Sequence, residues 1–188
     1  MIVPGDISWG LKLEEASFDL EWIDALPGHK VMLKGNHDLW WSGITKLNKM
    51  YESITFLQND YYQAEGICIC GSRGWLTPDN DDYGPADEKI YKRELLRLRA
   101  SLEKAEAAAE HNGGKLLVAM HYPPVSKLSS FSGFQQIFEE YGIRKVIYGH
   151  IHGEEGFRNA IKGIHHGVEY RLISLDYLNC VPLRIELT

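Results

Sequence analysis

The sequence predicts an α/β protein of layered architecture, and three observations carry that expectation. Helical and strand-like segments alternate along the chain, the pattern of strands covered by helices. Apolar runs such as Leu116-Leu117-Val118-Ala119-Met120 do not alternate with polar residues, which suits strands buried on both faces. The 188 residues are 44% hydrophobic and 24% charged, a globular composition and a length for one domain, 1–188, at roughly 100–200 residues per domain.

Each element has a local reason. Leu13, Ala16, Leu20, Ile23 and Leu26 recur at steps of three and four, predicting a helix over 13–26 that Pro27-Gly28 ends. A short apolar strand follows at 30–34. Over 67–71, Cys68 and Cys70 alternate with Ile67 and Ile69, predicting a buried strand with two thiols on one face. Tyr91, Leu95, Leu98, Leu102, Ala105 and Ala109 form the stripe of a longer helix over 87–111, closed by Gly113-Gly114. Lys92, Arg93, Arg97 and Arg99 lie off that stripe among Glu88, Glu94 and Glu103, a solvated face rather than a nucleic-acid patch. Further strands are expected at 115–120, 145–149, 168–175 and 181–187.

Composition excludes several classes. The longest apolar run, Leu116 to Met120, is far short of the roughly 18 residues of a membrane helix. The formal charge of −6 disfavours broad electrostatic binding of nucleic acid or anionic membrane. Cys68, Cys70 and Cys180 are too few for a disulfide framework or a four-cysteine zinc site. With no secretory signal in view, the expectation is a cytoplasmic protein. Asp79, Asp81 and Gly84 suggest a calcium loop, but Tyr83 and Ile90 stand at its fifth and twelfth positions, where oxygen ligands are needed.

The chemistry collects after the strands. Met1-Ile2-Val3 runs into Pro4-Gly5-Asp6, and Val31-Met32-Leu33 into Gly35-Asn36-His37-Asp38. Leu116 to Met120 runs into His121-Tyr122-Pro123-Pro124, and Val146-Ile147-Tyr148 into Gly149-His150-Ile151-His152-Gly153. Ligands of open α/β sheets gather outside the carboxyl ends of strands, so these residues are expected to share one small volume. A carboxylate, an amide oxygen and several imidazoles suit borderline divalent ions such as Zn, Mn or Fe better than calcium. Arg73, after the 67–71 strand, is either a phosphate contact through its planar fork or an ordinary surface arginine. Trp9, Trp40, Trp41, Trp75 and Tyr122 also follow strand ends closely and either line a cleft or pack in the core.

Gly5-Asp6, Gly35-Asn36-His37-Asp38, His121 and Gly149-His150-Ile151-His152 resemble the ordered motifs of calcineurin-like metallophosphoesterases. The longer strings PGDISWG, LKGNHDLWW, MHYPP and YGHIHG are similar to those of a bacterial branch of that family. The resemblance implies a two-layered β-sandwich flanked by helices, with two divalent metals at its edge hydrolysing phosphate esters of a phosphorylated small molecule through a metal-activated hydroxide. Asp6 would bridge the metals, Asn36, His121 and His150 would complete one site, and His152 would belong to the other. His37 would stand near the leaving oxygen, oriented by Asp38.

One departure stands out. The family begins with a further strand ending in Asp-x-His, which supplies the remaining ligands of the second metal, and no Asp-x-His occurs in this chain. The expectation is therefore an N-terminally incomplete domain, its first strand missing, that binds one metal or none. Its unpaired backbone invites association between copies of the chain. Two other readings stay open: a non-catalytic metal- or phosphate-binding module of the same fold, and slow one-metal hydrolysis.

Overall fold

The computed structural model describes residues 1–126 and 131–186. Strands β1 (Ile2–Val3), β2 (Lys30–Met32) and β3 (Ile54–Phe56) form a parallel sheet in the order β1-β2-β3. Strands β4 (Tyr62–Ala64), β5 (Ile67–Ser72), β6 (Lys115–Met120), β7 (Lys145–Tyr148), β8 (Gly163–His165) and β9 (Val168–Leu172) form the second, ordered β4-β5-β6-β7-β9-β8. Its four inner strands are parallel, and β4 and β8 are antiparallel edges.

Side-chain alternation assigns each strand face to a layer. Val31, Leu33, Ile69, Leu117, Ala119 and Ile147 pack together between the two sheets. Met32, Ile54 and Phe56 face outward from the first sheet onto α1 (Leu13–Asp24) and α2 (Ile44–Leu47) through Ala16, Leu20 and Leu47. From the second sheet, Cys68, Cys70, Val118, Met120, Val146 and Tyr148 face α3 (Pro85–Asn112) and α4 (Gly133–Glu140). A short α5 (Gly153–Asn159) follows β7. The result is a helix–sheet–sheet–helix sandwich, as expected, with the two cysteines on one buried face. Leu102 is fully buried in the outer core, and its truncation to Ala costs roughly 2–5 kcal/mol.

The ends of the long elements have identifiable causes. Pro85 opens α3, and Gly113 closes it in the left-handed conformation at φ 71°. Helix α1 stops at Asp24, before the expected Pro27-Gly28. There the fully buried Lys30 donates from Nζ to the carbonyls of Asp24, Leu26 and Gly28 at 2.9, 2.8 and 2.9 Å. The ammonium thus satisfies carbonyls that a helix end leaves orphaned.

The expected strand at 181–187 is corrected: residues 181–186 are irregular, and 187 lies outside the described residues. The alternation is present, with Ile185 against the core between the sheets, yet the segment joins no ladder among the described residues. Val181 is 66% exposed. Alternation reports one covered face; a strand also needs a partner edge. Among the described residues no helix is long and apolar enough to cross a membrane.

Candidate metal centre

Both sheets deliver residues to one place. Asp6 and Asn36 follow β1 and β2 of the first sheet, and His121 and His150 follow β6 and β7 of the second. All four lie beyond the carboxyl ends of parallel strands, where backbone turns leave side chains clustered. Gly5, at φ 105°, permits the approach: a Cβ there would stand 2.6 Å from the Gly35 backbone and 2.7 Å from His121 Nδ1. A Cβ on Gly35 would overlap Asp6 Oδ1 at 2.0 Å. Asp6 and His150 themselves have positive φ, 55° and 68°, the left-handed conformation that Asp and His adopt more readily than most residues.

The chemistry of the cluster follows from its tautomers. His121 Nδ1 lies 2.9 Å from the Pro4 carbonyl, which only accepts, so Nδ1 carries the proton and Nε2 keeps its lone pair. That lone pair faces Asn36 Oδ1 at 2.7 Å, His150 Nδ1 at 3.2 Å and Asp6 Oδ2 at 3.5 Å. His150 Nδ1 also lies 3.0 Å from Asn36 Oδ1. Burial above all, helped by the Arg73 and His37 charges and opposed by Asp6 and the Pro4 carbonyl, lowers the His121 pKa to about 4. Burial, then His121, lowers His150 to about 4 as well. Four electron-pair donors therefore meet with at most one proton among them near neutral pH, and a cation resolves that conflict. The donor set, two imidazoles, a carboxylate and an amide oxygen, fits a borderline divalent metal. Ligand atoms of Asp6, His121 and His150 all lie within 4.8 Å of one another.

Asp38 ties the two loops together. Its fully buried carboxylate accepts from the amides of Asp6 (2.8 Å), Ile7 (2.8 Å), Ser8 (3.2 Å) and Gly35 (2.7 Å) and from Trp40 Nε1 (3.1 Å). Burial raises its pKa, and the Gly35, Ile7 and Ser8 amides pull it back down. The expected role of orienting His37 is corrected: the carboxylate is committed to the loop that presents Asp6. His37 is exposed, its ring beside Trp9 at 4.7 Å between centroids, and its amide donates to Asp6 Oδ1 at 2.9 Å.

His152 lies outside the four-residue cluster. Its Nδ1 is 2.9 Å from Asp176 Oδ1, and the Gly153 amide donates to Asp176 Oδ2 at 3.2 Å. Asp176 carries no signal in the sequence, since it follows a strand that shows no ligand motif. Arg73 is brought alongside the centre: its carbonyl accepts from the amides of His121 and Tyr122 at 3.2 and 2.9 Å. The guanidinium stacks on Trp75 at 4.5 Å. The tryptophans divide: Trp40 and Trp41 pack in the α1 core, Trp9 is 80% exposed beside His37, and Trp75 contacts Tyr122, which lies against His150 at 4.0 Å.

At the carboxyl edges of a two-sheet sandwich, Asp, Asn and His side chains thus converge in an arrangement that could hold a metal ion. The family model for calcineurin-like phosphoesterases matches residues 1–154, and the chain belongs to that family, a group of hydrolases. No curated protein and no solved structure matches the chain.

Proposed function

We propose that the protein is a phosphohydrolase acting on a small phosphorylated molecule, with one divalent metal (Mn, Fe or Zn) held by Asp6, Asn36, His121 and His150. The observation that carries this reading is the convergence of four electron-pair donors with at most one proton between them. Such a metal, when bound, supplies Lewis acidity that polarises a phosphoryl oxygen and makes hydroxide available near neutral pH for attack on phosphorus. The chain's own residues do the rest. The Pro4 carbonyl fixes the His121 tautomer, Asp38 holds the Asp6 loop, and His37, on the solvent side, holds a proton for the departing oxygen. The acidic overall charge favours a small substrate over nucleic acid.

Calorimetric titration with Mn²⁺, combined with hydrolysis of bis(p-nitrophenyl) phosphate, tests the proposal. The expected result is one tight ion and metal-dependent turnover, with affinity falling by at least roughly 10–100-fold in Asn36→Ala, no less than for loss of an outer-shell partner. Wild-type protein that takes up no ion, or that turns over equally in chelator, refutes it. One observation favours a second reading, a metal- or phosphate-binding module without turnover: His152 is engaged with Asp176 rather than with the cluster. An ion bound with no hydrolysis of any ester selects that reading.

A further inference from the structure

Beside the candidate metal centre, Lys34, Asn59, Arg73, Glu94 and Arg97 line a recess of about 10 Å³ between the carboxyl ends of the two sheets and α3, room for one water-sized group such as a single phosphate oxygen. Glu94 is fully buried in the middle of α3, where a lone carboxylate is costly. Arg97 lies 2.9 Å from its Oε1, and Arg73 and Arg93 lie 3.8 Å from the same oxygen. Lys34 completes the wall. One carboxylate thus faces four cations, an excess of positive charge in a chain whose net charge is −6.

The hydrogen bonding is also incomplete. Arg73 Nε, Glu94 Oε2 and Asn59 Oδ1 are buried with no partner, although buried polar groups are nearly always paired. An unpaired guanidinium donor within a surplus of positive charge calls for an anionic oxygen. The two unpaired acceptors call for a donor beside it. A phosphate seated at the mouth of the recess, with one P–OH entering it, answers both, since that oxygen accepts from the guanidinium and its proton is donated to an acceptor. The position fits a substrate: the Arg73 carbonyl is bonded to the amides of His121 and Tyr122, so the recess adjoins the loop bearing a metal ligand.

Resting on the phosphohydrolase reading, we propose that this recess and its mouth form a second anion subsite. Lys34, Arg73 and Arg97 take a non-reacting phosphate of the substrate while another phosphate lies at the metal, so the preferred substrates are esters carrying two phosphate groups. Planar guanidinium forks recognise phosphate through paired donors, and holding the remote group positions the reacting one.

Two measurements test this. The first is calorimetric binding of inorganic phosphate to the whole chain in chelator, so that no metal contributes. Wild type binds one phosphate, Arg97→Gln and Arg73→Gln each weaken it at least tenfold, and Lys92→Gln, an exposed α3 cation paired with Glu88, leaves it unchanged. Absence of binding by wild type, or equal binding in all variants, overturns the subsite. The second, with Mn²⁺ present, compares phosphate release from fructose 1,6-bisphosphate and fructose 6-phosphate. The bisphosphate is favoured at least tenfold in kcat/KM, and Arg97→Gln removes the preference through KM; equal rates in wild type overturn the substrate class. Phosphate binding as described without hydrolysis of either ester refutes the phosphohydrolase reading and leaves the anion site standing.

Discussion

Two sets of histidines stand at the same end of the molecule and are held by different means. His121 is 1% exposed, its tautomer fixed by a main-chain carbonyl, and with His150 it faces Asp6 and Asn36 across distances of 2.7 to 3.5 Å. His37 and His152 are exposed, one beside the Trp9 ring and the other paired with Asp176. The inner pair, His121 buried and His150 half-buried, has lost basicity chiefly to desolvation, which suits ligands that must stay unprotonated. The outer pair remains in contact with solvent. The proposed division between ligand and acid thus follows from burial and from which loop is tied down.

The largest break is expected at Asp38. In Asp38→Asn one amide oxygen replaces two carboxylate oxygens, and the NH₂ group is turned against the N–H donors of Asp6, Ile7, Ser8 and Gly35. Several buried donors lose a charged acceptor at once, and the cost is roughly 3–5 kcal/mol. Urea unfolding of the metal-free protein measures it. Unchanged stability would mean that the inner cluster is not organised by this carboxylate, and the contrast with the outer histidines would lose its basis.

At His37 the effect moves from stability to rate. His37→Gln leaves the urea midpoint within about 0.5 kcal/mol, as for an exposed side chain. Phosphate release from an alkyl phosphate falls by roughly 10²–10⁴, the ordinary contribution of a positioned acid. A p-nitrophenyl ester, whose leaving group needs no proton, loses much less. Equal losses on both esters would remove His37 from the role of acid.

How much of this was legible in the sequence depends on whether the signal was local. The helices at α1 and α3 and the strands β5, β6 and β7 announce themselves through apolar period or run, and their helix-side and inter-sheet faces follow from alternation. Strands β3, β4 and β8, three residues each, give no periodic signal, because their stability comes from neighbours distant in the chain. The same holds at the site. Asp6, Asn36, His121 and His150 each follow an apolar run and are brought together by the two parallel sheets. Asp38 was legible as a site residue but not in its contacts, since nothing in GNHD says that the carboxylate reaches back to residues 6–8. The pairing of Asp176 with His152 depends on the path of the chain after β9 and leaves no pattern. Glu94 and Arg97 read as part of a solvated helix face, and only the packing of α3 on the second sheet buries the glutamate.

A pH titration sharpens the comparison at a smaller scale. The folded pKa of about 4 for His121 and for His150 lies below the ordinary 6.5 that applies once the chain unfolds. Between these values the unfolded chain binds more protons than the folded one, so unfolding is favoured as pH falls. Stability of the metal-free protein is full above about pH 6.5, declines through the window down to about pH 4, and stops responding to these two groups below it. Replacing both residues with Asn flattens the curve across that window, whereas the wild-type curve keeps its slope. Urea midpoints at several pH values separate the two cases.

The smallest effect belongs to the pair outside the cluster. His152 and Asp176 have side chains 60% and 44% exposed, and an ion pair so open to water is worth roughly 0–1 kcal/mol. Asp176→Asn keeps an oxygen that can still accept from the Gly153 amide, which trims the loss further. Unfolding should therefore shift by less than about 1 kcal/mol, and Mn²⁺ affinity at the inner cluster should hold. A fall of roughly 10–100-fold in that affinity is what removing a carboxylate that orients a ligating imidazole produces. Such a fall would place His152 among the groups that set the inner metal, and burial would no longer be what separates the two sets.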